Sequence, residues 1–278
     1  MKFGAHVSMA GGVMNAPSNA AKIGCEVLQM FTRPPMGGSG AKLTAKDGED
    51  FRAAMKEHGI ERAYIHAPYY INLASGKKPV RSSSARIIRE ELERGSVLGC
   101  TAVMFHPGSA KDVGEEEGLR LVIETIDKVM DGYRGACQLL VEISAGAGAT
   151  MGDSFEEIAA MLERAKRGRD IGVCFDTQHA FASGYDLRDE KAVNETVKHF
   201  DAVIGLKRLV MSHLNDSKVP FEDHKDRHEH IGDGFIGKTG LKAFVQHKKL
   251  QHLDLILETP HDEKIMSDMA FLKRARRR

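Results

Sequence analysis

The 278-residue sequence contains no tryptophan and only four cysteines. The cysteines lie far apart and form no C-x-x-C pair, which argues against a zinc ribbon or a dithiol redox motif. We therefore expect Cys25, Cys100, Cys137 and Cys174 to be reduced residues of the core. No apolar run approaches the roughly 20 residues that cross a bilayer, and no secretory signal opens the chain. These absences predict a cytoplasmic protein that does not enter a membrane.

An excess of charge is also missing, because 40 lysines and arginines face 39 acidic residues and the formal net charge is +1. This balance provides no global attraction to nucleic acid. The C-terminal segment KRARRR (Lys273 to Arg278) is a local basic cluster, which we interpret as a frayed, solvated terminus. A contact to nucleic acid is the alternative interpretation.

What the chain does contain is a repeated pattern of short apolar runs separated by amphipathic segments, which is typical of βα units around a parallel sheet. The predicted helices span residues 13–23, 46–58, 82–98, 115–133, 154–167, 190–204, 240–246 and 262–274. The predicted strands end near His6, Phe31, His66, His106, Glu142, Asp176, His213 and Glu258. Eight such units in one chain predict an α/β fold, a (β/α)8 TIM barrel in a single domain of residues 1–278. A doubly wound sheet is the alternative.

Besides the first strand, which ends near His6, six of the eight predicted strands end in histidine, aspartate or glutamate after a run of apolar residues. The C-terminal ends of barrel strands converge on one face, so these six side chains would become neighbours. Buried carboxylates are costly unless they are paired or bind a metal. The pattern therefore predicts a metal site formed by His66, His106, Glu142, Asp176, His213 and Glu258.

Three further ligand candidates lie in loops, namely His179, Asp226 and His228. In the D-R-H sequence, an extended backbone would point Asp226 and His228 the same way, although a histidine-rich surface loop is the simpler interpretation. Nine nitrogen and oxygen ligands exceed the need of one ion and indicate two or three, with Zn²⁺ favoured over Mn²⁺ or Fe²⁺. Such a cluster favours hydrolysis of a phosphoester, because two ions about 4 Å apart can generate hydroxide and stabilise the leaving oxygen.

Motifs in order along the whole chain resemble those of the endonuclease IV family of apurinic/apyrimidinic endonucleases. DTQHAFASGYD (residues 176–186) and DRHEHIGDG (residues 226–234) carry the most specific part of the likeness. The others are GAHVS (4–8), HAPYYINLA (66–74), FHPGS (105–109), HLNDSK (213–218) and LETP (257–260).

This resemblance implies a (β/α)8 barrel with three zinc ions that hydrolyses double-stranded DNA 5′ to an abasic site and leaves a 3′-hydroxyl. Blocked 3′ ends would be a second substrate. A hydroxide held between metal ions would attack the phosphorus, and the enzyme would act as a monomer. By this resemblance, His66 and His106 hold one zinc, and Glu142 bridges it to a second. The second zinc is also held by Asp176, His213 and Glu258. The third is held by His179, Asp226 and His228.

The stretch RPPMGGSGAKL (residues 33–43) departs from the family, because it lacks the tryptophan and glutamine expected after the second strand. Met36 lies near the expected arginine. Gln178 also stands where a cysteine is common. For DNA contacts we nominate Tyr69 and Tyr70 as wedges that unstack bases, with an exposed structural role as the alternative. Arg33 and Lys218 are nominated as phosphate ligands, and His6 as a substrate contact.

Two other functions are compatible with the residues alone. A metal-dependent sugar isomerase or epimerase on a similar barrel would need one or two ions and a base for proton transfer. A DNA-damage binder that keeps the metals without cleaving is the other alternative. The nine candidate ligands favour the endonuclease over both.

Overall fold

Eight parallel strands close into a barrel in a computed structural model that describes residues 1–276. The strands are β1 (Lys2–His6), β2 (Val27–Met30), β3 (Arg62–His66), β4 (Ala102–Phe105), β5 (Gln138–Glu142), β6 (Gly172–Asp176), β7 (Leu209–His213), β8 (Asp216–Ser217), β9 (His228–Glu229) and β10 (Asp254–Leu257). Around the barrel they follow the order β1, β10, β7, β6, β5, β4, β3 and β2, and β2 pairs with β1 to close it. The remaining two strands, β8 and β9, form a separate antiparallel hairpin. The (β/α)8 prediction is thus confirmed.

Helices surround the barrel between consecutive strands. Each of the eight predicted helices is present, with ends shifted by a few residues. The six-residue helix at 177–182 was not predicted, because it is too short to show a helical period. No helix within residues 1–276 is long and apolar enough to span a membrane. The helices are α1 (Ala16–Ile23), α2 (Ala45–Glu57), α3 (Lys78–Leu98), α4 (Glu115–Met130), α5 (Phe155–Arg164), α6 (Thr177–Ala182), α7 (Glu190–Val203), α8 (Gly237–Gln246) and α9 (Ile265–Arg276).

The C-terminal helix α9 corrects the interpretation of the basic tail as a frayed terminus. Lys273 donates a hydrogen bond of 2.6 Å to the carbonyl of Gly24, and the Arg276 guanidinium pairs with both carboxylate oxygens of Glu26 at 2.8 and 3.0 Å. These contacts attach the helix to the first βα unit. Residues 277 and 278 of the predicted tail lie outside the described residues.

The interior of the barrel is filled by side chains from alternating positions of the strands, as expected for this fold. They form a layer of eight buried residues: Val27, Tyr64, Ala102, Met104, Leu140, Cys174, Met211 and Ile256. A second, larger core lies between the strands and the helices. All four cysteines are buried and free, which confirms the prediction that they are reduced packing residues. The apolar layer closes the barrel below its C-terminal face, where the polar strand ends meet.

Candidate metal centre

The six strand-end residues gather at the C-terminal mouth of the barrel. Four of them are the last residues of β3, β5, β6 and β7, whereas His106 and Glu258 directly follow β4 and β10. Two groups formed by these six residues have ligand atoms within 4.8 Å of one another, and both contain Glu142. The first comprises His66, His106 and Glu142, and the second Glu142, Asp176, His213 and Glu258. Glu142 and His213 also form such a group with Cys174, which lies inside β6.

Glu142 lies between these two groups and is fully buried. Its Oε1 atom is 2.7 Å from Nδ1 of His213. Its Oε2 atom is 3.3 Å from Nε2 of His66 and 3.5 Å from Nε2 of His106, and it is buried without a hydrogen-bond partner. A buried carboxylate oxygen without a partner is costly, so a cation shared with the two imidazoles would satisfy it.

A third group contains Asp176, His179 and His228. The Nε2 atoms of His179 and His228 are both buried and have no hydrogen-bond partner. Asp226 approaches the same atoms from the outside, with its Oδ1 atom 3.3 Å from His179 and 3.6 Å from His228. Two orphaned imidazole nitrogens and two carboxylates that converge on one point have the chemistry of a metal-ligand set.

Hydrogen bonds to backbone carbonyls orient three of these histidines. In each case Nδ1 donates and Nε2 remains free to face the centre, which fixes the tautomer that metal binding requires. The carbonyl acceptors are Ala67 for His66 at 2.6 Å, Ile143 for His179 at 2.9 Å, and Glu258 for His228 at 3.2 Å.

Sequence reasoning missed Gln29, a fully buried amide in β2. Its Oε1 atom accepts from Nε2 of His213 at 2.7 Å, and its Nε2 atom donates to Oε1 of Glu258 at 2.6 Å. His6 lies 2.9 Å from the same amide nitrogen. Gln29 therefore orients two predicted ligands at once. The signal available in the sequence was one amide within the otherwise apolar segment VLQMF.

Asn215 was also missed, and it serves the neighbouring ligands in the same way. Its amide nitrogen donates to Oδ2 of Asp176 at 2.8 Å, and its Oδ1 atom accepts the backbone N–H of Glu258 at 2.7 Å. Thr177 donates to the carbonyl of Asn215 at 2.7 Å and so holds the backbone that carries the amide. The ends of β6, β7 and β10 are tied together by this residue.

The electrostatics of the centre couple the imidazoles to the carboxylates. Burial alone would lower the pKa of both His213 and His179. At His213, Cys174, Glu142 and Glu258 outweigh burial and raise the pKa. At His179, Asp176 and Asp226 outweigh it, and the pKa rises to about 10. Burial alone would raise the pKa of Glu142, but His213 and His106 hold that pKa well below its usual range. His106, where burial dominates, has its pKa lowered to about 4. The centre thus keeps Glu142 ionised, which suits this carboxylate to bind a cation.

The residues nominated for DNA contacts lie around this mouth. The side chain of Tyr69 is 59% exposed, and its ring lies 5.3 Å from Phe31 and 5.5 Å from His66. Tyr70 is exposed beside it and donates to the carbonyl of Gly38 at 3.3 Å. Together with His106, Asn72, Ser109, Thr150 and Asp226, the two tyrosines line a cleft of about 420 Å³. Lys218 is exposed in the loop that follows β8, and His6 is partly buried against Gln29.

Arg33 does not fit the predicted role of phosphate ligand. Its side chain is only 4% exposed, and its guanidinium is bonded to Glu91 and, at 2.9 Å, to Glu90. Arg94 continues this network by donating to the side chain of Thr32 at 2.7 Å and to the backbone of residues 32 and 41. Both arginines therefore hold the base of the 33–43 loop, and a phosphate would have to displace two carboxylates from Arg33.

Residues 232–239, GDGFIGKT, match the G-x-x-x-x-G-K-[ST] pattern of phosphate-binding loops. The structure places the carboxylate of Asp216 inside this loop. That carboxylate accepts the backbone N–H groups of Gly232 at 2.8 Å, Ile236 at 2.9 Å and Gly237 at 3.2 Å. An internal anion thus takes the position that a phosphate takes in such loops. The segment has a structural role, which is to anchor the start of α8.

Comparisons with known proteins agree with this fold. The family described as xylose isomerase-like TIM barrel matches residues 17–275, and the chain belongs to this class of barrels. A protein named probable endonuclease 4 from Campylobacter concisus is 41% identical over 269 residues, which cover 96% of this chain and 94% of the relative. Another of that name from Halothermothrix orenii is 36% identical and covers 94% of each chain. The chain is therefore a member of the endonuclease IV family.

Solved structures give the same result. Endonuclease IV from Thermus thermophilus superposes with a TM-score of 0.87 at 31% identity, covering 99% of this chain and 100% of that one. A D-tagatose 3-epimerase-like protein superposes with a TM-score of 0.74 at 17% identity over 99% of this chain and 97% of the other. The second likeness concerns the fold alone.

Proposed function

We propose that this protein is a metal-dependent DNA repair endonuclease that hydrolyses the phosphodiester bond 5′ to an abasic site and leaves a 3′-hydroxyl. As a member of the endonuclease IV family, it is a hydrolytic AP endonuclease. The observation that carries the proposal is the position of Glu142, whose two carboxylate oxygens face two separate groups of ligands at the barrel mouth. Removal of blocked 3′ groups is a second reaction of the same site.

We propose zinc as the metal, because the assigned ligands are imidazoles and carboxylates. The sulfur of Cys174 also lies 3.7 Å from Nδ1 of His213, but burial raises the pKa of this thiol to about 12, and it is left out of the ligand sets. One ion is assigned to His66, His106 and Glu142, a second to Glu142, Asp176, His213 and Glu258, and a third to His179, Asp226 and His228. The unpartnered atoms Glu142 Oε2, His179 Nε2 and His228 Nε2 support this assignment, since each is buried and directed into the centre.

Bound zinc ions would supply Lewis-acid stabilisation of the phosphate and activation of water. The protein's own residues determine where this happens. The carboxylate of Glu142 sets the separation of the first two sites, because each of its oxygens faces a different ligand group. Gln29 and Asn215 prevent the rings and carboxylates around it from rotating. The apolar layer beneath excludes water from the floor of the site.

The DNA would lie across the barrel mouth. Tyr69 and Tyr70 present exposed rings next to the metal groups and would stack against bases near the lesion. Lys218 would contact a backbone phosphate without reading sequence. His6 would face the substrate from the end of β1, where it contacts Gln29 and lies 3.5 Å from Glu258.

The test uses duplex DNA that carries one tetrahydrofuran abasic analogue, which cannot undergo lyase elimination. We expect the zinc-loaded protein to cut the strand 5′ to the analogue and to leave a 3′-hydroxyl that a polymerase extends. Prolonged chelation should abolish the cut, and added zinc should restore it. Binding without cleavage at full zinc occupancy would favour a DNA-damage binder. Absence of both binding and cleavage would contradict the proposal.

A further inference from the structure

Gln178 is buried between α6 and the loop that joins β8 to β9, here named the 218–227 loop. Its amide nitrogen donates to the carbonyl of Lys225 at 2.9 Å, and its amide oxygen accepts the backbone N–H of Arg227 at 3.1 Å. These two backbone groups belong to the residues on either side of Asp226. The side chain thus binds the loop as a neighbouring β-strand would, with one donor and one acceptor around a single residue.

Asp226 depends on such support, because its side chain is 56% exposed. Its carboxylate nevertheless reaches within 3.3 Å of His179, the residue that follows Gln178 in α6. A loop that is free to move would carry an exposed carboxylate away from the two imidazoles. The position of this ligand candidate is therefore determined by the backbone on both sides of it.

Other backbone hydrogen bonds also attach the loop to the barrel, and two of them lie before Asp226. Glu222 and His224 adopt left-handed backbone conformations, with φ values of 62° and 52°, which are uncommon for residues other than glycine. Their backbone N–H groups bond to the carbonyls of Phe181 at 3.2 Å and Ala182 at 3.1 Å. These contacts attach the middle of the loop to the end of α6, before the chain reaches Asp226. After Asp226, the N–H of Lys218 bonds to the carbonyl of Arg227 at 2.9 Å. Gln178 bonds to the backbone on both sides of Asp226.

We propose that Gln178 is a positioning residue for the third metal site: by holding the backbone on both sides of Asp226, it keeps that carboxylate in place to bind the same ion as His179 and His228. This inference rests on the proposed function, which assigns Asp226 to a metal. The amide does not contact the ion. Its effect is on the affinity of one site out of three, and the Glu142 sites should not change.

The first test compares the parent protein with Gln178→Met. Methionine keeps the length of the side chain but makes neither hydrogen bond. Metal content is measured after dialysis, and the affinity of the weakest ion is measured by competition with a chelator. We expect that affinity to fall about tenfold or more, as for other residues that orient metal ligands, while two ions remain bound. Gln251→Met is the matched control, because Gln251 also makes two backbone hydrogen bonds, at 2.9 and 3.0 Å, far from the mouth.

A double-mutant comparison separates positioning from general damage. In an Asp226→Asn background, Gln178→Met should have little further effect on metal affinity, because the ligand that it positions is already lost. An equal loss in both backgrounds would overturn the inference, and so would unchanged affinity in the native background. If Gln178→Met does not fold, Gln178→Asn is used instead, since its shorter amide cannot span both Lys225 and Arg227.

Hydrogen exchange on metal-free protein tests the hydrogen bonds between Gln178 and the 218–227 loop without relying on the metal assignment. The amide of Arg227 should exchange faster in Gln178→Met than in the parent, because its acceptor has been removed. Unchanged exchange of the Arg227 amide would show that Gln178 does not hold the backbone there. A parent protein that binds fewer than three ions, with Arg227 protected as expected, would instead contradict the metal content in the proposed function.

Discussion

Nε2 of His213 donates a hydrogen bond to Oε1 of Gln29 over 2.7 Å. The opposite ring nitrogen, Nδ1, therefore faces Oε1 of Glu142 at 2.7 Å and Oε2 of Glu258 at 3.3 Å. His66, His179 and His228 use the reverse arrangement and turn Nε2 toward the centre. The direction of these four imidazoles is thus set by hydrogen bonds to groups other than the ligand atoms. For His213 that group is the side chain of Gln29, and for the other three it is a backbone carbonyl.

Gln29→Leu should weaken metal binding without unfolding the barrel. Leucine fits the apolar strand β2 but leaves Nε2 of His213 and Oε1 of Glu258 without their partner. We expect the affinity of the second site to fall about 10- to 100-fold, the usual cost of removing such a partner. The measurement is a chelator competition followed by metal analysis. Gln138→Leu is the control, because Gln138 begins β5 at the opposite end of the barrel and bonds to the carbonyl of Asp170. Equal affinities in both variants would contradict the assigned role.

Glu142→Ala should remove most of the activity, because the two ligand groups lose the residue that they share. We expect the rate of cleavage at a tetrahydrofuran site to fall by about a hundredfold or more, the scale on which single electrostatic contributors to a transition state act. Metal analysis should show that fewer ions are retained. Activity within about tenfold of the parent would show that Glu142 does not bridge two sites.

The barrel and the strand-end residues could be predicted from the sequence because both depend on local patterns. Apolar runs ending at His66, Glu142, Asp176 and His213 coincide with the ends of β3, β5, β6 and β7. Parallel strands in a barrel then bring these ends together whatever their separation in the chain. No knowledge of individual contacts was required for this step.

Contacts between distant polar residues could not be predicted in this way. Arg33 appears in the sequence as a free cation beside a glycine-rich loop, yet Glu91, 58 residues later, buries and pairs it. Gln29 and His213 are 184 residues apart, and nothing local indicates that they bond. The helix α6 was missed for a different reason, because the six residues that follow the N-cap Asp176 are too few for a hydrophobic period.

Metal-free protein should lose stability as the pH rises from neutrality. Burial alone would lower the pKa of His179, but Asp176 and Asp226 raise it from 6.5 to about 10. A raised pKa in the folded state stabilises fully below pH 6.5, and this contribution is lost as the pH rises through 10. The free energy of unfolding in urea should therefore decrease across that interval. Asp226→Asn should flatten the decrease, because it removes one of the carboxylate charges that raise the pKa of His179. An unchanged slope would contradict the coupling.

Lys218→Ala should weaken DNA binding and reduce its dependence on salt. A lysine that neutralises one phosphate releases about one counterion, so its removal should lower the slope of log affinity against log salt by about 1. Lys249→Ala is the control, because the two side chains are 67% and 57% exposed and Lys249 precedes β10, at the N-terminal end of the strands. Binding is measured on uncut duplex with the metals chelated. Identical slopes for the two variants would remove Lys218 from the DNA-binding surface.

Glu91→Ala should destabilise the fold far more than it affects phosphate binding. Glu91 is completely buried and bonded to both Arg33 and Thr32, so the substitution removes the buried carboxylate from the Arg33 guanidinium and leaves the pair with Glu90. Breaking a buried ion pair by removing one partner costs about 3–5 kcal/mol, whereas the exposed pair between Arg86 and Glu90 should contribute less than about 1 kcal/mol. Urea unfolding of Glu91→Ala and Arg86→Ala measures the difference. A stable Glu91→Ala protein with a steeper salt dependence of DNA binding would mean that Arg33 had been freed to contact phosphate, and would restore the role that the sequence first suggested for it.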